Sequence, residues 1–302
     1  MAEIRKPDFI CVGLPKAGTS TLHNVLDCHC DIAMPPVKEI KYLIQDELNY
    51  NGARFWKLFS SGWPAQQDRA FFARFCKRAA KLQANSYEAQ SFARYYFNPR
   101  TDDAWYRGLF HPDAVSGDVT VNYFWLKEPE IRKLAADYPW MKVIIMLRSP
   151  VQLNWSYFRM VALRKKESGV FEPERFLREI EEKKQRIGRY AEMVRRWQSA
   201  FGEDRVMIGY FDGLRDDPVQ FFDGVCEFLG VDGAEHWDDG MRQAMGRIVN
   251  TSPKLQMSED LAGPILELSE LNLEGFEAIK PRYADLWRGH IEDARRSVMR
   301  AA

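Results

Sequence analysis

The chain has few cysteines, no long apolar run and no net charge, and each shortage closes off a class of protein. Five cysteines (Cys11, Cys28, Cys30, Cys76 and Cys226) are scattered along 302 residues. That number is odd and too sparse for a disulfide framework, which points to a reducing compartment. No stretch approaches the roughly 20 apolar residues that a spanning helix requires, so stable membrane insertion is not expected. Residues 1–7 are short and charged and the first apolar run is too brief for a secretory signal, which makes the cytoplasm the expected location. Forty-three basic side chains balance forty-three acidic ones, leaving no overall field to draw in nucleic acid or an anionic membrane. Internal repeats and low-complexity tracts are also missing. What is present is ordinary soluble composition, 46% hydrophobic and 28% charged, long enough for one large α/β domain or two modest ones.

Strands and helices alternate along the sequence. Phe9–Val12, Asp31–Met34, a short segment within Ser116–Val121, Lys142–Leu147 and Arg205–Tyr210 read as strands. Lys142–Leu147 is a continuous apolar run, as expected of a central parallel strand covered on both faces. Ser20–Leu26, Glu128–Tyr138, Val151–Leu163 and Pro218–Leu229 read as helices, and residues 164–200 as charged helix with solvated faces. The alternation predicts a three-layer, doubly wound and mainly parallel sheet with a nucleotide-binding P-loop-like layout. From Lys38 to about Arg107 the chain is aromatic and helical in tendency, mostly core, and able as a group to wall an acceptor pocket.

The most informative stretch runs from Asp8 to Leu22. A buried strand enters a loop bounded by Gly13 and Gly18, and the loop opens into Thr19, Ser20 and Thr21 at a helix start. Such a turn aims backbone N–H groups at an anion. The G-x4-G spacing matches a P-loop, but Thr19 stands where the P-loop lysine belongs, and Lys16 lies inside the loop instead. A second anion site is marked by Arg148, at the carboxyl end of the central strand, with Ser156 eight residues on, about two helical turns into the next helix. Two anion grips on one sheet edge suggest a nucleotide with phosphates at both ends. Asp27-Cys-His-Cys-Asp31 lacks the two-to-four-residue ligand separations of structural zinc sites and reads as a helix end and turn, so no metal is expected.

Taken together, these motifs resemble the sulfotransferases that use 3′-phosphoadenylyl sulfate (PAPS). The loop Gly13-Leu-Pro-Lys-Ala-Gly-Thr-Ser-Thr21 resembles that family's 5′-phosphosulfate loop, and Arg148 with Ser156 its 3′-phosphate motif. Lys38-Glu-Ile-Lys-Tyr-Leu43 is similar to the segment that carries the acidic base in the heparan-type and bacterial branch. Gly117-Asp-Val-Thr-Val-Asn-Tyr123 is similar to that branch's Gly-Glu-x-(Ser/Thr)-Pro-x-Tyr, and Tyr190–Trp197, Gly209–Leu214 and Phe221–Leu229 match its later elements. The likeness covers most of residues 8–260. It implies one sulfotransferase domain over 1–302, with an acceptor-side helical region at 42–110 and C-terminal helices at 261–302.

The resemblance implies roles residue by residue. Pro15, Lys16, Ala17, Gly18, Thr19, Ser20 and Thr21 would hold the 5′-phosphosulfate, with Lys16 stabilising charge on the leaving group. Arg148 and Ser156 would hold the 3′-phosphate, and Arg247 and Lys254 would contact the nucleotide from a covering loop. Glu39 would be the general base, with Lys41 orienting the sulfuryl group or acceptor, and His111 and Asp118 in reserve. No metal is needed, because a sulfuryl group carries less charge than a γ-phosphoryl. Asp118, Val119 and Val121 stand where the branch usually has Glu, often Lys, and Pro, which argues against a glycosaminoglycan acceptor. A hydroxyl, or second an amine, on a small molecule, lipid or sugar is the expected target, and the oligomeric state is not readable. Two other readings stay open: a P-loop kinase with a deviant first motif, and a non-catalytic nucleotide-binding protein of the same fold.

Overall fold

The structure, a computed structural model, describes residues 5–44, 66–97, 102–167, 178, 180–181, 188–233, 237, 239–246 and 259–299. Its centre is one parallel sheet of four strands, β1 (Phe9–Gly13), β2 (Gly117–Val119), β3 (Lys142–Leu147) and β4 (Val206–Tyr210), in the order β2-β1-β3-β4. Helices flank it: α1 (Thr19–Leu26), α2 (Gln66–Ala79), α3 (Tyr87–Phe97), α4 (Asp103–Arg107), α5 (Glu128–Asp137) and α6 (Pro150–Glu167). They continue with α7 (Tyr190–Phe201), α8 (Phe211–Asp216), α9 (Pro218–Leu229), α10 (Asp239–Met245), α11 (Glu259–Leu273) and α12 (Pro281–Met299).

The two central strands explain the packing. All five residues of β1 are buried, and so are Val143–Leu147 of β3, as a parallel strand covered on both faces requires. One apolar cluster extends from Phe9 to Ile291, with Trp197 and Trp287 among its largest fully buried side chains. Trp287 of α12 stacks on Phe276 and donates from Nε1 to the Asp212 carboxylate at 2.8 Å, which fastens the last helix behind the end of β4. Asn154 of α6 donates to Ser269 Oγ and Asn272 Oδ1 of α11 at 3.2 and 3.1 Å, a buried polar tie between two helices.

The connections place a crevice. After β1 the chain runs out to β2 on one side, then returns to β3 on the other side of β1. The carboxyl ends of β1 and β3 are thus the switch point of the sheet, where open α/β folds take their ligands. The β1–β3 register is Phe9↔Lys142, Ile10↔Val143 and Cys11↔Ile144, and it slips before Gly13↔Ile145. At that slip the chain leaves β1 for the Gly13–Gly18 loop.

Two expectations are corrected. Asp31–Met34 forms no strand; it makes a single bridge, Ile32 to Val115, with Ala33 N donating to Val115 O and Val115 N to Asp31 O. Pro35 and Pro36 lack the N–H groups that would extend the ladder. The helix after β3 begins at Pro150, a residue earlier than expected, and runs on to Glu167. Pro there has no N–H to leave unsatisfied at the first helical position. No described helix is long and apolar enough to cross a membrane.

The close approach of β2 to β1 needs Gly117. A Cβ there would stand 2.5 Å from two ring atoms of Phe9, which is fully buried. Gly117→Ala is expected to lower the unfolding free energy by about 1–3 kcal/mol of overpacking strain, read as a lower urea midpoint. An unchanged midpoint would mean that β1 and β2 can part without cost.

Candidate active site

The loop after β1 is built to leave backbone donors facing outward. Gly18, at φ 90°, caps α1 in the left-handed region, and a Cβ on it would meet Leu214 at 2.8 Å and Phe211 at 3.0 Å. Only glycine meets both conditions. The first helical bond runs from Leu22 N to Gly18 O, so the amides of Thr19, Ser20 and Thr21 come before the ladder begins. No acidic side chain lies in that first turn, which leaves the positive end of the helix for an outside anion. Ala17 differs from expectation: its N–H is spent inside the turn, on Leu14 O at 3.2 Å. Pro15 and Lys16 are half-buried at the bend of the loop.

Arg148 comes to this loop from the end of β3. Its Nη1 donates to the Lys16 carbonyl at 3.0 Å, and its guanidinium lies over the Phe211 ring at 4.3 Å. Burial pushes its pKa down to about 10, opposed by the Asp212 carboxylate. Its Nε is buried without a hydrogen-bond partner among the described residues, as are Ser149 Oγ and Tyr190 OH. Tyr190, which the sequence reading left as part of a helix, feels the Arg148 charge: burial drives its hydroxyl pKa up and Arg148 pulls it back. Ser156 is buried on α6.

A third segment, residues 38–43, closes the group. Lys38 Nζ donates to Ser20 Oγ at 2.9 Å and Thr19 Oγ1 at 3.4 Å, and lies 3.7 Å from Glu39 Oε1. Glu39 Oε2 accepts from Val121 N at 3.2 Å, and Glu39 N donates to Val119 O. Burial raises the Glu39 pKa, with Lys38 opposing most strongly, and burial lowers that of Lys38, with Glu39 opposing. Desolvation thus weakens both charges, and their mutual attraction restores part of each. Among the described residues four non-glycines take positive φ, and three of them are Lys16 (69°), Glu39 (63°) and Lys41 (64°). Such conformations are uncommon and concentrate where a site needs them.

Asp118 lies beneath this segment, fully buried. Its carboxylate accepts from Thr120 Oγ1 (2.7 Å), Tyr123 OH (2.6 Å) and Tyr106 OH (3.1 Å). Those hydroxyls reach on: Thr120 Oγ1 accepts from Lys41 N at 3.4 Å, Tyr123 OH from Leu43 N at 3.5 Å, and the Tyr106 ring stacks on Tyr42 at 4.1 Å. Three contacts therefore pass from one carboxylate to residues 41–43, where Tyr42–Ile44 form a short 3-10 helix. His111 is placed elsewhere. Its Nδ1 accepts from Asp113 N and Ala114 N, in the turn where Lys6, ahead of β1, donates to Ala114 O. That is the amino-terminal side of the sheet. Arg247 and Lys254 lie outside the described residues. In the Asp27–Asp31 segment, His29 Nδ1 accepts from Asp31 N within the turn, and Nε2 faces Asp232 O at 2.9 Å in the segment that follows α9.

A glycine-bounded loop, an arginine from the neighbouring strand and a half-buried Lys–Glu pair thus meet at one switch point. The family model for the sulfotransferase family matches residues 7–239. The chain belongs to the sulfotransferase family. Its fold is similar to that of a sulfotransferase from Alicyclobacillus acidocaldarius, with a TM-score of 0.54 at 21% identity, covering 94% of this chain and 99% of that one. The sulfotransferase domain of the Synechococcus PCC 7002 olefin synthase is similar at a TM-score of 0.48 and 16% identity, covering 87% and 92% of the two chains. A Mycobacterium avium sulfotransferase matches at 0.48 and 14%, covering 94% and 77%. No curated protein sequence matches the chain significantly.

The sequence motifs mark the loop, Arg148 and Glu39, but give no sign that Lys38 reaches Ser20 and Thr19. The resemblance also put Asp118 in reserve as a base, and burial beneath three hydroxyls gives that carboxylate a supporting place. Burial raises the Asp118 pKa from 3.8 to about 6. A carboxyl raised by folding favours the native state below its unfolded pKa and loses that advantage as pH climbs through the native one. Stability is therefore expected to fall by on the order of 2–3 kcal/mol between about pH 4 and pH 6 from this group. In Asp118→Asn that decline should vanish from urea titrations across the window, and a parallel slope in the variant would contradict it.

Proposed function

We propose that this sulfotransferase moves a sulfuryl group from PAPS to a hydroxyl, or second to an amine, of a small-molecule, lipid or carbohydrate acceptor. What carries the reading is the convergence of Arg148 on the Lys16 carbonyl, because it joins two anion grips into one crevice. The residues fit such a donor. The helical ladder of α1 starts at Leu22 N, after the amides of Thr19, Ser20 and Thr21, no carboxylate competes in that turn, and Arg148 keeps a buried Nε without a partner among the described residues. When bound, the donor supplies the sulfuryl group, its sulfur bonding to the acceptor oxygen as the bond to the 5′-phosphate oxygen breaks. The amides of Thr19, Ser20 and Thr21 hold the 5′ end. Lys16 holds the negative charge that gathers on the departing phosphate oxygen. Arg148, supported by Ser156, grips the 3′-phosphate and separates this donor from simple adenylyl nucleotides. Glu39 takes the proton from the acceptor.

Burial suits Glu39 to that task, since a carboxyl raised towards neutrality is a stronger base than an exposed one. Asp118 supports it through Thr120 and Tyr123 rather than by touching the acceptor. The kinase alternative calls for a lysine at the position where Thr19 stands. The binding-protein alternative leaves the desolvated Glu39 without a purpose.

Two experiments test this. Isothermal titration should show 3′,5′-bisphosphoadenosine binding well ahead of AMP, and Arg148→Ala should remove about 10- to 100-fold of that preference, the worth of a charged hydrogen bond. Equal affinity for the two nucleotides in the wild type would overturn the donor assignment. Against an acceptor library with radiolabelled donor, Glu39→Gln should lower kcat by about 100-fold or more with the donor KM little changed. The acid limb of the pH–rate profile, displaced above the ordinary carboxylate range, should disappear with it. Full activity in Glu39→Gln would place the base elsewhere.

A further inference from the structure

Lys38 has no part in the transfer as described so far, yet it touches both halves of the site. Its ammonium sits on Ser20 Oγ and Thr19 Oγ1, in the turn where the loop amides and the helix end converge, and within 3.7 Å of the Glu39 carboxylate. An ammonium has three N–H donors and no acceptor. Here two of them face neutral hydroxyls at the mouth of an anion cradle, an undersized partner for a charge that is only 17% exposed along its side chain. A phosphate or sulfuryl oxygen offers the same donors a charged acceptor, and charge-assisted bonds are roughly twice as strong as neutral ones. The two hydroxyls can in turn donate to the same anion once the ammonium no longer needs them as acceptors.

We propose that Lys38 is a second cation, beside Lys16, for the donor's 5′-phosphosulfate: its ammonium exchanges the Ser20 and Thr19 hydroxyls for that group while it keeps hold of Glu39. It thereby spans donor and base with one group, fixing the carboxylate beside the sulfur to be attacked. Glu39 takes an uncommon positive φ of 63°, and such backbone concentrates at functional sites. Burial lowers the Lys38 pKa, and an anion in the cradle would raise it again. Lys16 and Lys38 then approach the same phosphosulfate from different segments, the loop and the stretch before Glu39. Two cations here take the place that a metal clamp fills in phosphoryl transfer. The assignment rests on the donor reading given above, and its test separates the two.

Wild type, Lys38→Met and Lys38→Arg are titrated calorimetrically with 3′,5′-bisphosphoadenosine and with 3′-AMP, which carries the 3′-phosphate alone. Lys38→Met is expected to weaken the bisphosphate by about 10- to 100-fold, in line with a charged hydrogen bond, and to leave 3′-AMP within about twofold. Lys38→Arg should recover part of the loss. The unchanged 3′-AMP affinity also shows that the variant is folded around Arg148. Equal bisphosphate affinity in Lys38→Met overturns the proposal, and so does an equal loss for both ligands, which would mark Lys38 as structural only. A wild type that prefers neither phosphate pattern would instead overturn the donor reading and Lys38's role with it.

Discussion

The contact on which the site depends is the one between the Arg148 guanidinium and the carbonyl of Lys16. It joins the end of β3 to the loop that follows β1, across the point where the sheet changes direction. A loop that presents amides to an anion has to be held in shape while the anion is away, and a half-buried arginine beneath its bend does that. The same arginine rests on the Phe211 ring, faces the Asp212 carboxylate and is backed by the Trp287 bond to Asp212. Helix α12 thus reaches Arg148 and the loop through two intermediates, although none of its own residues lies in the loop.

Desolvation organises the other half. Arg148, Lys38 and Glu39 are all pushed towards neutrality by burial, and each is held in place by a partner of opposite charge or by backbone. Charges kept this way are costly for the fold and useful for the chemistry, because a ligand of complementary charge meets them already dry. Asp118 shows the structural version of the arrangement. Its three hydroxyl donors let it stay in the core, and the far sides of those groups pin the backbone of residues 41–43.

Much of this was legible in the sequence, and the exceptions have physical reasons. β3 and α9 announced themselves at both ends, since an unbroken apolar run and a Pro-to-Gly-bounded amphipathic segment have little other reading. The Gly13–Gly18 loop and Arg148 were visible because glycine spacing and a strand-end arginine are local signals. Asp31–Met34 misled because strand propensity is judged one segment at a time, whereas a ladder needs donors on both sides, and the two prolines remove them. Lys38 and Asp118 were misjudged for a common reason. Whether a charged side chain faces a partner, a crevice or the core depends on tertiary contacts, such as Lys38 to Ser20, 18 residues away, and Asp118 to Tyr106, 12 residues away, which no spacing rule encodes. His111 was drawn in by residue type alone, and its turn belongs to the far end of the sheet.

The central claim is that a single crevice grips one nucleotide by a phosphate at each end of its ribose. A crystal structure with 3′,5′-bisphosphoadenosine tests it most directly. The expected result puts the 5′-phosphate against the amides of Thr19–Thr21 and the 3′-phosphate within hydrogen-bond reach of the Arg148 guanidinium. A nucleotide bound away from the β1–β3 switch point, or one whose 3′-phosphate faces solvent while Arg148 keeps only the Lys16 carbonyl, would contradict it.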